Sequence, residues 1–416
     1  MALSSDMKTV SKMTYLNRKL KNMTLRELAN KTGLSHGYLN RFEQGLVRPS
    51  NATMKQLLDV LDVKIEIDDA LDNAFLNLYE RLDQALFYDQ RQESRELYKE
   101  LRAHHDYYIH SKYFGEYYLI MLSAIQATRL DMTDIEAFYR PADIIADKLD
   151  KPYREQMVFE RALHMVINGN LYKAWRYAKQ HVESLNNDHL RARVYYLLGY
   201  TIANDYNYYH DALKYFEKAR ILFEENMNYR RSNRCKAMEQ ILFVYLHRFE
   251  EYEKSVAETD QYSIANKEFA IYYFTSVNKA RYYIIKEAYQ QALDILETFT
   301  SDVFEYHFYK AFSYFKLNRS MEALNEIQTL RKRPEVIVTG FEKDITNLLE
   351  YAIVHDQDKA YLDKLKHLEQ QAHAQRDFVM IQIITNLYTE ALQEKRRYKE
   401  AQRVLERFLA VLYKIN

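Results

Sequence analysis

The sequence predicts an all-α protein, with a small basic helical head followed by a long array of paired helices. Three observations carry this expectation. Only 7 Gly and 4 Pro occur in 416 residues, and Gly33, Gly37 and Gly45 all fall near the start, so little interrupts helix over the remainder. Apolar residues recur at the three- and four-residue spacing of helices with one buried face. Small residues also recur along the chain at intervals that suit closely packed helix pairs.

A chain of this length exceeds one ordinary domain, and its 48% apolar content is ample for a core. The expected boundaries are a head over 1–67, a linker helix over 68–94 and repeats over 95–416. Cys235 is the only cysteine, which excludes an internal disulfide and points to a reducing, cytoplasmic setting; it reads as a small buried apolar residue. The N-terminus lacks an apolar leader and no apolar run reaches membrane-spanning length, so no membrane role is expected. Net charge is zero but uneven. Residues 1–65 hold 11 Lys/Arg against 5 Asp/Glu, a balance of +6, and the rest hold 48 against 54, a balance of −6. A basic head on a mildly acidic body suits a nucleic-acid reader carried by a body that does not bind nucleic acid.

The head is the most explicit stretch. Residues 1–7 read as a loose tail, and Val10, Met13, Leu16 and Leu20 mark a first helix. Thr24 and Glu27 have capping-box spacing and precede Leu25, Leu28 and Ala29. Gly33 supplies the left-handed residue that ends this helix. Ser35 caps the next helix, where Leu39 and Phe42 point inward, and Gly45 closes it. Pro49 and Asn51 open a helix with Met54, Leu57, Leu58 and Leu61. Helix, glycine turn and capped helix is the plan of a helix-turn-helix, whose second helix enters the DNA major groove. Through Leu28-Ala29, Gly33-Leu34-Ser35, Tyr38-Leu39, Phe42-Glu43, Gly45 and Pro49 the segment resembles the Cro/cI (XRE) family. That resemblance implies base reading from His36, Gly37, Asn40 and Arg41, and phosphate contacts from Arg26, Ser35, Tyr38, Arg48 and Lys55. Arg41 suits guanine and Asn40 adenine, whereas Gly37 has no side chain to read with. Leu25 stands where many relatives place a phosphate-binding Gln, which shifts weight onto dimerisation. Glu43 is expected to fix the following loop.

Asp68 to Gln92 reads as one amphipathic helix. Its Leu71, Phe75, Leu78, Leu82 and Ala85 have heptad-like spacing, which suits either a dimerising linker or packing on the same chain. Beyond it, Arg191–Asn226 is the clearest helix pair, with Gly199, Ala212 and Ala219 at the close approach. Ala174, Ala212, Ala292, Ala323 and Ala401 mark second helices, and their intervals of 38, 80, 31 and 78 place hidden pairs near 234–262 and 343–371. The pattern resembles tetratricopeptide repeats, which implies a right-handed superhelix with a concave groove lined by first helices. Arg193, Tyr196, Tyr200 and Asn204 are its expected lining, joined by Asn233, Gln240, Asn278, Arg281 and Phe312. Arg suits a carboxylate, Asn a peptide backbone, and Tyr an apolar contact with a polar tip.

Head and repeats together resemble the RRNPP group of peptide-pheromone receptor regulators, which includes the phage arbitrium receptors. The resemblance implies a cytosolic homodimer that binds a double-stranded DNA operator under control of a short signalling peptide held in the groove. Two other readings stay open: a repeat module that holds a protein partner, and a constitutive dimeric repressor without a peptide ligand. No phosphate loop, HExxH or paired cysteines are present, so neither catalysis nor a cofactor is expected. His104, His105 and His110 fall only partly on one helix face and read as a surface feature, not a metal site.

Overall fold

The computed structural model describes residues 7–333, 336, 338–355 and 358–415, so most of the expected N-terminal tail lies outside them. Among the described residues there is no strand, and no helix is long and apolar enough to cross a membrane. Two compact units are present, Met1–Leu197 and Leu198–Asn416.

The first unit opens with α1 (Met7–Leu20), α2 (Leu25–Thr32), α3 (His36–Glu43) and α4 (Asn51–Leu61). The local chemistry matches the reading of the head. Thr24 and Glu27 form a reciprocal capping box, Gly33 takes φ +67°, and the Ser35 side chain accepts from Tyr38 N. Ser50, not Pro49 or Asn51, caps α4. Val10, Leu28, Leu39, Phe42, Met54, Leu57, Leu58 and Leu61 form the head's core. α1 does not turn a single apolar face inward. Val10 enters that core, but Met13 and Leu16 join Phe114, Ile145 and Leu149 in a separate cluster.

The unit continues through α5 (Asp69–Phe87), α6 (Arg91–Ala103), α7 (His105–Tyr108), α8 (Phe114–Thr128), α9 (Ile135–Ile145), α10 (Lys151–Ile167) and α11 (Leu171–His181), then into α12 (Asp188–Ile202). α5 stops at Phe87, short of the expected end, because Asp89 takes φ +57° and turns the chain. Its heptad face is occupied. Phe75, Leu78, Leu82 and Ala85 are buried with Leu97, Tyr98, Leu101, Tyr108 and Tyr117 of the same chain. The dimerising reading of that face is therefore set aside, since burying it here leaves nothing for a second copy.

In the second unit α13 (Tyr209–Glu225) is followed by α14 (Tyr229–Tyr245), α15 (Phe249–Ala265), α16 (Phe269–Ile285) and α17 (Tyr289–Leu296). Then come α18 (Phe304–Lys316), α19 (Ser320–Arg331), α20 (Gly340–Val354), α21 (Lys359–Gln375), α22 (Phe378–Glu394) and α23 (Tyr398–Ile415). Both hidden pairs exist, as α14–α15 and α20–α21. The five marker alanines are buried, as expected of close-approach positions. Gly199 shows why such positions stay small: a Cβ there would lie 2.9 Å from the Phe216 ring.

The turns explain the repeat length. Met227, His247, Lys267 and Glu287 take φ of +55°, +55°, +56° and +57°, twenty residues apart by their numbers. After each, the next N–H reaches back to close the helix. Asn228, Arg248, Glu268 and Ala288 donate to Phe223, Phe243, Ser263 and Tyr283 carbonyls at 2.7–2.8 Å. A two-helix unit here thus spans twice that interval rather than roughly 34 residues. The second unit also closes on itself. Gln382 on α22 donates to Ile285 O on α16 at 3.1 Å, Asn386 donates to Glu287 at 3.0 Å, and Lys316 on α18 pairs with Glu390 at 2.7 Å. The last helix pair returns to the start of the unit, where Arg376 pairs with Asp205 and His210 donates to Ile415 O.

Candidate nucleic-acid interface and peptide site

α3 presents its reading face to solvent. His36, Gly37, Asn40 and Arg41 are exposed while Leu39 and Phe42 are fully buried, so one helix face anchors and the other is free to contact a groove. Arg26, Ser35, Arg48 and Lys55 are exposed and Tyr38 is half-buried. Gln44, which the sequence did not single out, shares this face and donates to Asn40 Oδ1 at 3.4 Å.

What holds α3 is a contact the sequence did not reveal. Glu43 does not brace the following loop. Its carboxylate is 5% exposed and accepts from Arg18 Nε at 2.6 Å and Nη2 at 2.7 Å, while Arg18 Nη1 donates to Met23 O. This bidentate pair ties α1 to the end of α3. α1 is tied in turn to the helices behind it. Lys8 pairs with Asp150 at 3.0 Å, and Arg140 donates to Leu20 O and to Asn22 Oδ1. The peptide after α4 is pinned where Glu66 N donates to His110 O at 3.0 Å. The orientation of α3 is thus mechanically continuous with α8 and α9.

The expected groove residues divide. Tyr200 and Asn204 are exposed and Tyr196 is half-buried. Arg193 belongs to the first unit, 8% exposed, with its guanidinium 3.9 Å from the Phe159 ring centroid. Gln240 is removed from the groove set. It is fully buried and donates to Ser255 at 3.3 Å and Thr259 at 3.1 Å, binding α14 to α15. Asn233, Asn278 and Arg281 lie inside the second unit. Asn278 Nδ2 donates to Ala237 O at 2.8 Å, and Arg281 donates to Asn278 Oδ1 and to Tyr309 Oη, both at 3.0 Å. Phe312 packs edge-on against Tyr289.

α22 lies across the C-terminal ends of α14, α16 and α18, with Phe378 against Tyr245, Gln382 on Ile285 O and Glu390 on Lys316, and closes that side of the second unit's interior. That interior is nevertheless polar. Asn233 Oδ1, Thr275 Oγ1, Ser313 Oγ, Gln382 Oε1 and Thr385 Oγ1 are buried without hydrogen-bond partners among the described residues. Each such group costs about 1–3 kcal/mol if it stays dry and unpaired. Burial also pushes the pKa of Asp377 up, although Met380 N and Arg281 act in the opposite direction.

Elsewhere, His105 Nδ1 lies 2.9 Å from Tyr117 Oη, and burial, with Arg102 adding to it, pulls its pKa down. Among the described residues no group of three His, Cys, Asp or Glu could hold a metal ion.

Residues 16–67 match the Helix-turn-helix family. No curated protein matches the chain. Among solved structures, the chain is similar to a Rap protein complexed with competence and sporulation factor, at 11% identity over 82% of this chain and 98% of that chain, with TM-score 0.64. It is also similar to the apo form of the quorum sensor NprR from B. thuringiensis, at 15% identity over 82% and 99%, with TM-score 0.57. NprR in complex with its cognate peptide NprX gives 14% identity over 82% and 99%, with TM-score 0.58. The chain thus carries a Helix-turn-helix family domain at residues 16–67 and, over most of its length, the fold of Rap and NprR, as its resemblance to the peptide-receptor regulators implied.

Proposed function

We propose that this protein is a transcription regulator that binds a double-stranded DNA operator through α3, as a cytosolic homodimer, under control of a short signalling peptide. The observation that carries the reading is the exposed row of His36, Asn40 and Arg41 on a helix whose other face is locked in the head's core. Arg41 supplies a bidentate guanine contact and Asn40 an adenine contact, and Arg26, Ser35, Tyr38, Arg48 and Lys55 hold phosphates. The basic balance of the head supplies the attraction. A two-fold operator needs two heads roughly 34 Å apart, and hence two copies. An apolar stripe of Leu405, Leu409 and Tyr413, exposed along α23, supports pairing of copies.

Peptide control rests on the polar interior of the second unit. A peptide backbone brings N–H and C=O groups that suit Asn233 Oδ1, Gln382 Oε1 and the neighbouring hydroxyls, with Asn278 and Arg281 alongside and Tyr200 and Asn204 at the rim. Admission requires α22 to move, so the peptide would select an opened second unit over the closed one. NprR, one of the similar structures, holds its cognate peptide, which favours the same ligand class.

The test is fluorescence anisotropy of a labelled operator duplex with the full chain, at several salt concentrations, with and without short peptides encoded beside the gene. The reading expects a steep fall of affinity with salt and a peptide that changes affinity. Arg281→Ala should abolish the peptide's effect while leaving peptide-free DNA binding intact. DNA binding that ignores every peptide would favour the constitutive repressor.

A further inference from the structure

A cavity lies wholly within the first unit, between α5, α10 and α12. Its volume is about 380 Å³, within the range of small-molecule sites. Tyr79, Phe87, Tyr153, Pro152 and Leu190 give it an apolar wall, and Asp83 and Arg193 bring opposite charges to it. Of the residues expected to contact DNA or peptide, only Arg193 lines it, and Arg193 belongs to the first unit.

Arg193 has the character of a ligand residue. It is 8% exposed, its Nε makes no hydrogen bond among the described residues, and its face is stacked on Phe159. Its contacts with negative charge are loose: Nη2 stands 3.8 Å from Glu160 Oε1, and Asp83 feels its charge without a direct ion pair. That oxygen already accepts from Ser123 Oγ at 2.6 Å, and burial pushes the Glu160 pKa up. A line of hydrogen bonds holds the floor rigid: Tyr79 Oη donates to Gln156 Oε1 at 3.1 Å, and Gln156 Nε2 donates to Ser123 Oγ at 2.9 Å. A guanidinium held on a ring and lining a partly apolar cavity is suited to a carboxylate.

The mouth selects further. Asp150 is paired with Lys8, but Asp83 makes no hydrogen bond or ion pair among the described residues. Burial raises the Asp83 pKa although the charges of Arg193 and His189 act in the opposite direction, and an arriving ammonium would add to that relief. A dianion such as phosphate would meet two carboxylates at the same entrance.

We propose that this cavity binds a small zwitterion, a free amino acid or dipeptide, with its carboxylate on Arg193 and its ammonium on Asp83. The ligand would bridge α5, which follows the head, to α10 and α12. The inference does not rest on peptide control of DNA binding and survives its failure.

The test is calorimetric titration and thermal shift of the full chain with the proteinogenic amino acids and glycylglycine. The N-acetyl and amide derivatives of any hit serve as probes lacking one charge. A zwitterion is expected to bind and raise Tm, with both derivatives at least about tenfold weaker. Asp83→Asn should weaken the zwitterion by a similar factor while leaving the N-acetyl derivative unchanged. Arg193→Gln should do the converse with the amide. Asp83 lies at the rim, so its variant decides the matter if Arg193→Gln does not fold. Absence of zwitterion binding at millimolar concentration, equal binding of the N-acetyl derivative, or an Asp83→Asn variant with unaltered affinity would each overturn the proposal.

Discussion

Replacing Glu43 by alanine leaves the Arg18 guanidinium buried with its carbonyl partner at Met23 but without a counter-charge. The side chains of Arg18 and Glu43 are 5% and 4% exposed and meet through two hydrogen bonds of 2.6 and 2.7 Å. Removing one member of a buried ion pair costs about 3–5 kcal/mol, because the remaining charge keeps its desolvation penalty. At about 1.36 kcal/mol per tenfold, opening of the head should become roughly two to four orders of magnitude more frequent. Native-state hydrogen exchange reads this directly at the Leu39 and Phe42 amides, which belong to α3 and do not depend on unfolding of the second unit. The double variant Arg18→Met, Glu43→Leu removes both charges and should recover most of the lost protection. A less than threefold change in exchange for Glu43→Ala would refute the reasoning. So would a double variant whose loss equals the sum of the two single variants, because the pair would then not be acting as a unit.

Gly199→Ala places a methyl 2.9 Å from Phe216 and should cost about 1–3 kcal/mol by urea denaturation, with much of the loss recovered by Phe216→Leu. Lys267→Gly relieves a left-handed residue at φ +56°, and a melting curve should show no loss or a gain of up to about 1 kcal/mol, unlike glycine placed inside a helix. Burial holds the pKa values of His105, His247 and His373 below 6.5 in the folded protein. The unfolded chain therefore takes up protons first, so this contribution is present above about pH 6.5 and lost as pH falls through the folded values. Melting temperature should drop between neutral and mildly acidic pH, and the imidazole proton resonances of these three should titrate below 6.5.

The head was legible because its signals are local. Thr24 with Glu27, Gly33, and Ser35 each act within three residues of their own position, and the chemistry of a cap does not depend on what lies far away. Arg18 and Glu43 are separated by 25 residues in sequence, and nothing in either neighbourhood announces the pair. The repeat period was blurred for a similar reason. The left-handed turn residue at 227, 247, 267 and 287 is Met, His, Lys or Glu, so the glycine that normally marks such a turn is missing. Gln240 and Arg193 show the main limit on reading the groove. A polar side chain on a repeat helix has the same spacing whether it faces a ligand, as expected, or the adjoining helix, as Gln240 does. The heptad face of α5 likewise fits a partner helix from either the same chain or a second copy, and only the burial of Phe75 and Leu82 against α6 and α8 decides between them.

The account turns on α3 reading base sequence from Arg41 and Asn40. The most direct measurement is selection of duplexes from a random DNA pool by the full-length protein, repeated with Arg41→Ala, followed by Kd determination on the enriched site. The account predicts a two-fold symmetric sequence whose half-sites lie about one helical turn apart. It also predicts that Arg41→Ala weakens the enriched site by about 1–3 kcal/mol and relaxes preference at one base pair, while binding to unrelated DNA stays nearly the same. Enrichment of no sequence, or an Arg41→Ala variant that selects the same site with the same affinity, would contradict it.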